Sequence, residues 1–381
     1  MNFLDPNLIT DPYPTYARWQ AERPIFRAED TGQWVLTRHD DVRSVLKSSV
    51  DYSSKAMGEQ GNPLPLLTDD PPKHTQLRAL VDRAFTMRML KLMEDWVDDL
   101  AAEMVAALPA GEPVDIVQAL TIPLPVAVIS RMMGIPAERA DDFKRWSDAL
   151  TGTLAGASME DRQQDILEMA AFFQDMIPER RRAPGDDLIS SVANAEIEGE
   201  RLTDQEIVGF CILLLIAGNE TTTNLLGNLF NIAADRPEVW SALIDDPKLI
   251  DAAVEETLRF DAPVQFLMRK ATRPMHYHGQ DVAEGENVTV VMAAANRDPD
   301  VYEHPDQFRL DRKRNHHHTF GFGIHFCIGA PLARMEARMV LKALTNRFSR
   351  LERPAEAPGE NERVASPLLR GFHHLWLTFS E

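Results

Sequence analysis

The chain has 381 residues, a formal net charge of −19, a pI near 5.0 and 44% hydrophobic residues, enough for a large core. That acidity argues against nucleic-acid binding, and two cysteines far apart in sequence offer no disulfide framework. No charged-then-apolar segment follows Met1, and the longest apolar run, Cys211 to Gly218, is too short to cross a bilayer, so a cytoplasmic protein that does not engage a membrane is expected. In chain order, Asp11 to Glu22 predicts a short helix, followed by strands at Ile25-Phe26-Arg27 and Trp34-Val35-Leu36-Thr37. Helical spacing resumes over 40–48. Residues 49–68 carry Ser, Gly and Pro without a period and predict a long loop. From Pro71 to about Arg350 the pattern is mostly helical, with breakers at Pro109, Gly111, Pro136, Pro184-Gly185 and Pro263. A β-rich patch covers about 265–292, clearest at Val288-Thr289-Val290-Val291, and Leu375-Trp376-Leu377-Thr378-Phe379 is a short extended piece near the end. The expected fold is mainly α with small β-sheets, in a single domain over residues 1–381 that no linker or repeat interrupts.

Cys327 sits in His318-Thr319-Phe320-Gly321-Phe322-Gly323-Ile324-His325-Phe326-Cys327-Ile328-Gly329-Ala330, ahead of Pro331 and a strong helical pattern. A thiol at the mouth of a helix is favoured as a thiolate by the helix dipole and free backbone N–H groups. Gly321, Gly323 and Gly329 let the backbone approach something flat and large. Haem iron held by a Cys thiolate is one such arrangement. A buried structural cysteine is the plainer alternative, but it requires neither three flanking glycines nor a proline at the helix start.

The string from Phe320 to Ala330 resembles the haem-binding signature of the cytochrome P-450 superfamily, a long and gapless motif. The resemblance implies a P-450 fold with haem b between the long central helix and the Cys-loop helix. It implies Cys327 as axial ligand to the haem iron, with Phe320, Gly321 and Gly329 beside the cofactor. It also implies a soluble bacterial type that lacks the membrane anchor of microsomal relatives.

Residues 203–234 form the longest helical window, opened by Thr203 with Glu206 three residues on. Its centre, Leu213-Leu214-Leu215-Ile216-Ala217-Gly218-Asn219-Glu220-Thr221-Thr222-Thr223, contains poor helix formers. Thr221 can bond the Ala217 carbonyl, and with Gly218 this can open the helix ladder and admit water. Alone, the segment reads equally as a Thr-rich kink with a solvated Glu220. Ala-Gly-x-Glu-Thr-Thr resembles the family's oxygen-activation segment, which implies Thr221 holding dioxygen, Glu220 relaying protons and Ala217 against the haem.

Glu256 and Arg259 lie at i and i+3, a spacing common in surface ion pairs. Here it resembles the family's helix-K motif, which implies a structural role. Asn296-Arg297-Asp298-Pro299 and His304-Pro305-Asp306-Gln307-Phe308 resemble the meander that follows. Gln307 stands where relatives commonly have Arg, so the third partner of Glu256 and Arg259 is left to Arg309 or Arg312. The resemblance further implies His74, Arg78, Arg269 and His325 as haem-propionate partners. His316-His317-His318 reads as structure leading into the Cys loop, with His318 packed beneath it, because adjacent histidines do not converge on one ion.

By family position, the substrate pocket is expected from the 55–66 loop, residues near 150–176, Leu213, Ile216, Ala217, Gln265, Phe266, Leu267, Leu368 and Leu369. An apolar or amphiphilic small molecule follows, with Gln265 as a hydrogen-bond donor. Hydroxylation is the expected outcome, in secondary or xenobiotic metabolism. No G-x-G-x-x-G follows a strand, so electrons are expected from a ferredoxin and its NAD(P)H-dependent reductase. Asp311-Arg312-Lys313-Arg314 with Arg83 and Arg88 reads equally as a docking patch for an acidic ferredoxin or as a solvated charge run. The resulting expectation is a monomeric O₂-dependent monooxygenase. A peroxide-driven haem-thiolate enzyme and a haem gas sensor are the alternatives, and Glu220 with Thr221 argues against both.

Overall fold

The computed structural model describes residues 2, 3, 5, 7–58, 64–154, 159–196, 199–313 and 315–381. Residues 59–63 of the expected pocket loop, 155–158 of the expected 150–176 lining, and Arg314 lie outside the described residues. The chain divides into two compact units.

The first unit comprises Met1–Thr75, Glu255–Cys327 and Arg363–Arg370. Its centre is a five-stranded sheet in the order Ile25–Arg27, Trp34–Leu36, Asn287–Val290, Leu267–Ala271 and Tyr52–Ser53. Trp34–Leu36 runs parallel to Asn287–Val290, and the other pairings are antiparallel. Alternate residues enter opposite cores, as the two-residue strand period requires. Phe26 and Val35 join Trp19, Phe266 and Val291, whereas Ile25, Trp34, Leu36, Val288 and Val290 join Val42 and Leu46. The sheet is therefore apolar on both faces, and Arg269, opposite Val288 on an inner strand, is only 4% exposed.

Two departures from the sequence reading occur in this unit. The 49–68 loop contains strand Tyr52–Ser53 and a 3₁₀ turn at Ser54–Gly58, because Ser53 and Tyr52 pair with Lys270 and Ala271. The described residues of 296–329, included in the mostly helical stretch, are irregular apart from a 3₁₀ turn at Gly323–His325. Here arginine side chains, rather than a helical ladder, satisfy many backbone carbonyls.

The second unit comprises Gln76–Val254, Ile328–Glu362 and Gly371–Glu381. Helix Asp204–Asp235 is its centre, packed by helices Pro123–Met132, Ala140–Leu154, Met159–Arg182, Leu188–Asn194 and Ala330–Arg347. A capping box between Thr203 and Glu206 starts the central helix, as expected. By length and composition this helix could cross a membrane, although half of its apolar stretch is buried inside the unit. A three-stranded antiparallel sheet in the order Pro113–Asp115, Trp376–Ser380, Arg350–Glu352 completes the unit.

Candidate active site

The Cys loop is held by its own backbone. Gly321 N–H donates to the His318 carbonyl at 2.7 Å, Phe326 N–H to Gly323 at 3.1 Å, and Cys327 N–H to Phe320 at 2.9 Å. Gly321 and Gly323 have φ of +71° and +73°, where a side chain is strained. Gly323 is also needed for packing, because a Cβ there would lie 2.8 Å from the Leu46 carbonyl oxygen. Gly329 has an ordinary helical φ of −79°, so backbone conformation does not explain it. Cys327 is a half-buried thiol outside any disulfide, three residues before helix Ala330–Arg347, which has Pro331 in its first turn. The Phe320 ring is near those of His317 and Phe326.

Asn296 anchors the entrance to this loop. Its Oδ1 accepts from His318 N–H at 2.7 Å, and its Nδ2 donates to Thr319 Oγ1 at 2.9 Å. Thr319 Oγ1 in turn donates to the Leu258 carbonyl at 2.6 Å. The three adjacent histidines do not converge on one point: two of them meet His39 and the third meets Glu255. His316 offers its carbonyl to His39 Nε2, His317 Nε2 meets Glu255, and the buried His318 ring lies 4.3 Å from that of His39. Burial, reinforced by His39, His317 and Arg43, pushes His318 down to about 3.

Glu256 is the hub of the meander. Arg259 binds it bidentately at 2.7 and 2.8 Å, with both side chains essentially unexposed. Arg259 also donates to the carbonyls of Asn296, Pro305 and Gln307. The third partner is Arg312, whose Nε lies 3.0 Å from Glu256 Oε2 and whose remaining nitrogens reach the carbonyls of Glu303, His304 and Gln307. Arg309 contributes only its backbone N–H to Glu256, and its guanidinium pairs with Asp311. Within the Asp311 to Arg314 stretch, Arg312 is thus turned inward onto Glu256, whereas Lys313 is exposed.

His74 and His325 meet with ring centroids 4.1 Å apart. His325 Nε2 is 2.8 Å from Ser54 Oγ, and Ser54 N–H donates to Asp70 Oδ1 at 2.8 Å. Asp70 also accepts His74 N–H through its carbonyl. Arg269 donates to the Met268 carbonyl but makes no ion pair among the described residues. Burial lowers it to about 10, with Asp70 the charge that opposes the shift. Arg78, one turn after His74 on helix Lys73–Ala84, pairs with Asp82 at 2.9 Å. Ser54 and Asp70 carry no motif signal and were not found by sequence reasoning.

On the central helix, Leu213, Ile216, Glu220 and Thr221 are half-buried and Ala217 is exposed, a stripe repeating at each turn of an otherwise buried helix. Thr221 Oγ1 donates to the Ala217 carbonyl at 2.6 Å, and Asn224 Nδ2 lies 3.4 Å from Glu220 Oε1. The Thr221–Ala217 bond that could open the ladder is present, and the helix is assigned α throughout from Asp204 to Asp235. Gly218 accommodates Ile129, whose Cδ1 would be 2.9 Å from a Cβ at that position. Among the expected pocket residues, Gln265, Phe266 and Leu369 are buried in the first unit. Gln265 accepts from Tyr16 and donates to the Ala262 carbonyl, and Phe266 packs edge-on to Phe3 at 4.7 Å. Their side chains are committed to the core, which corrects the reading of Gln265 as a substrate donor. Leu267 and Leu368 are half-buried against the same cores.

A family model described as Cytochrome P450 matches residues 24–367. The chain belongs to the cytochrome P450 family. It is 38% identical to "Cytochrome P450 monooxygenase PikC" of Streptomyces venezuelae over 388 residues, covering 98% of this chain and 92% of that protein. It is 37% identical to "Vitamin D(3) 25-hydroxylase" of Pseudonocardia autotrophica, covering 97% and 94%. The crystal structure of CYP109E1 from Bacillus megaterium in complex with testosterone superposes with a TM-score of 0.89 at 36% identity, covering 97% of this chain and 99% of that one. The fold is thus the P450 fold and the chain is a P450 monooxygenase, a family that implies a haem-thiolate cofactor. The donor set suits that group: a half-buried thiol on a helix-entry loop, and a buried guanidinium without an ion pair among the described residues.

Proposed function

We propose that this P450 holds haem b through the Cys327 thiolate and hydroxylates an apolar small molecule of steroid size, with residues 1–381 acting as one catalytic domain. The observation that carries the reading is Arg269. An unpaired buried cation is costly by roughly several kcal/mol, and a haem propionate is a carboxylate that offsets this. His74, His325 and Arg78 are the other propionate partners in this reading, with Phe320, Gly321, Gly329 and Ala217 beside the haem. When bound, the haem supplies a thiolate-ligated iron that activates dioxygen. The overall reaction consumes substrate, O₂, two electrons and two protons, and yields hydroxylated substrate and water. The Thr221 hydroxyl donates its own hydrogen to Ala217, so its oxygen offers lone pairs to a bound donor. Glu220, restrained by Asn224, exchanges protons with water on the same half-exposed stripe.

Leu213, Ile216 and Ala217 give that stripe an apolar surface. A vitamin D(3) hydroxylase among the relatives and a testosterone complex among similar structures support a steroid-like substrate. Electrons come from a ferredoxin and its NAD(P)H-dependent reductase. We expect a cytoplasmic monomer that binds neither nucleic acid nor membrane. The test is an optical titration of the ferric protein with testosterone, vitamin D₃, fatty acids and macrolides. A low-to-high-spin Soret shift with the steroid-like compounds supports the substrate class. A shift only with another class refutes it.

A further inference from the structure

We propose that Asn219 is a positioning residue that sets Glu220 and Thr221 through its hydrogen bond to Ser147. The inference rests on the reading that Glu220 and Thr221 handle oxygen and protons. Asn219 Nδ2 donates to Ser147 Oγ at 2.7 Å, and the two residues are 3% and 2% exposed. Asn219 Oδ1 is buried without a partner among the described residues. An aliphatic side chain would avoid the cost of that orphaned acceptor and would suit a helix face shared with Leu215 and Leu226. What the amide supplies instead is direction. It ties one point on the central helix to one point on helix Ala140–Leu154.

Each residue turns an α-helix by about 100°, so Thr221 lies roughly 200° from Asn219, across the helix from the Ser147 contact. Ala217 and Thr221 share the half-exposed stripe, and the tie lies behind it. Two other contacts flank the tie. Gly218 packs beside Ile129, which limits approach but not rotation, and Thr223 Oγ1 donates to the Thr121 carbonyl at 2.8 Å, a turn further along. Unlike the Asn224–Glu220 and Thr221–Ala217 contacts, which stay within the helix, the Asn219–Ser147 bond next to Glu220 reaches another helix. It makes the rotational setting of the Glu220–Thr221 pair depend on the position of helix Ala140–Leu154.

The test uses haem-loaded protein with testosterone as probe substrate and a plant-type [2Fe–2S] ferredoxin with its NADPH-dependent reductase. Ser147→Ala should raise amide hydrogen exchange over 216–224 by about tenfold, a typical loss for one buried hydrogen bond. It should also raise peroxide released per NADPH by a few fold, with the reduced CO spectrum unchanged. Ser147→Thr, which keeps the hydroxyl, should restore both. In a Thr221→Ala background, Ser147→Ala should add no further peroxide, because both act at one point. Faster exchange with unchanged peroxide would overturn the proposal and leave a purely structural tie. Unchanged exchange and peroxide in Ser147→Ala, with peroxide raised by Thr221→Ala, would overturn it while leaving the oxygen-handling reading intact. If Thr221→Ala itself leaves the peroxide yield unchanged, that reading fails and the positioning role falls with it.

Discussion

Replacing the arginines around Glu256 one at a time should produce a graded loss of stability. Arg259→Met removes a fully buried bidentate partner and strips donors from three carbonyls, leaving Glu256 with Arg312. Removing one member of a buried ion pair costs about 3–5 kcal/mol, and this site should lie at the upper end. Arg312→Met leaves the Glu256–Arg259 pair intact, so no buried carboxylate is stranded. The loss is one ionic contact and three carbonyl hydrogen bonds at the rim of the network, about 2–3 kcal/mol after partial rehydration. Arg309→Met leaves the backbone donor to Glu256 in place and should not move the midpoint. Urea unfolding of haem-loaded protein, followed by far-UV circular dichroism, measures the series. Equal losses for Arg309→Met and Arg312→Met would refute the assignment of Arg312 as the third partner.

Cys327→Ala should abolish thiolate ligation, and a reduced CO adduct that kept the red-shifted thiolate Soret band would refute the ligand assignment. Thr221→Ala should leave haem content intact while diverting electrons to peroxide, measured as product formed per NAD(P)H. Arg269→Met should weaken haem retention at least tenfold, read as transfer to apomyoglobin, because a buried charge-assisted contact is lost. Acid should destabilise the fold through His318. Its imidazole is held neutral, well below the ordinary 6.5, so its contribution is complete above pH 6.5 and is lost progressively as pH falls toward 3. At pH 5 the loss from this group reaches about 2 kcal/mol. His318→Leu should therefore show a flatter urea midpoint between pH 7 and 5, and an unchanged slope would count against a buried neutral His318.

The parts of the fold carried by short-range signals were legible in the sequence. Thr203 and Glu206 form the capping box that their spacing implies, and the hydroxyl of Thr221 reaches the carbonyl four residues back. Gly218 was legible as unusual but not for its reason, since Ile129 approaches from a helix about ninety positions earlier. Gln265 and Phe266 were placed by family position, yet Tyr16 and Phe3 bury them through tertiary contacts that no local pattern encodes. Ser54 and Asp70 were missed for the same reason: a serine and an aspartate become informative only when His325 and His74 are brought beside them.

The meander shows why such residues resist sequence reading. Between Asn296 and Gly329 the described backbone forms almost no regular structure, so its carbonyls need donors from elsewhere. Arg259 and Arg312 supply six of these bonds from two side chains whose charges meet on one carboxylate. The motif that looks like a surface pair is thus the interior frame of an irregular segment. Asn296 extends that frame to the loop bearing Cys327 by binding His318 and Thr319. A substitution at Glu256, seventy-one positions before the cysteine, should therefore disturb ligation of the iron by loosening the loop rather than by touching the metal. Glu256→Gln should retain less haem after mild urea treatment than Arg309→Met, and equal retention would mean that the frame and the Cys loop are not mechanically linked.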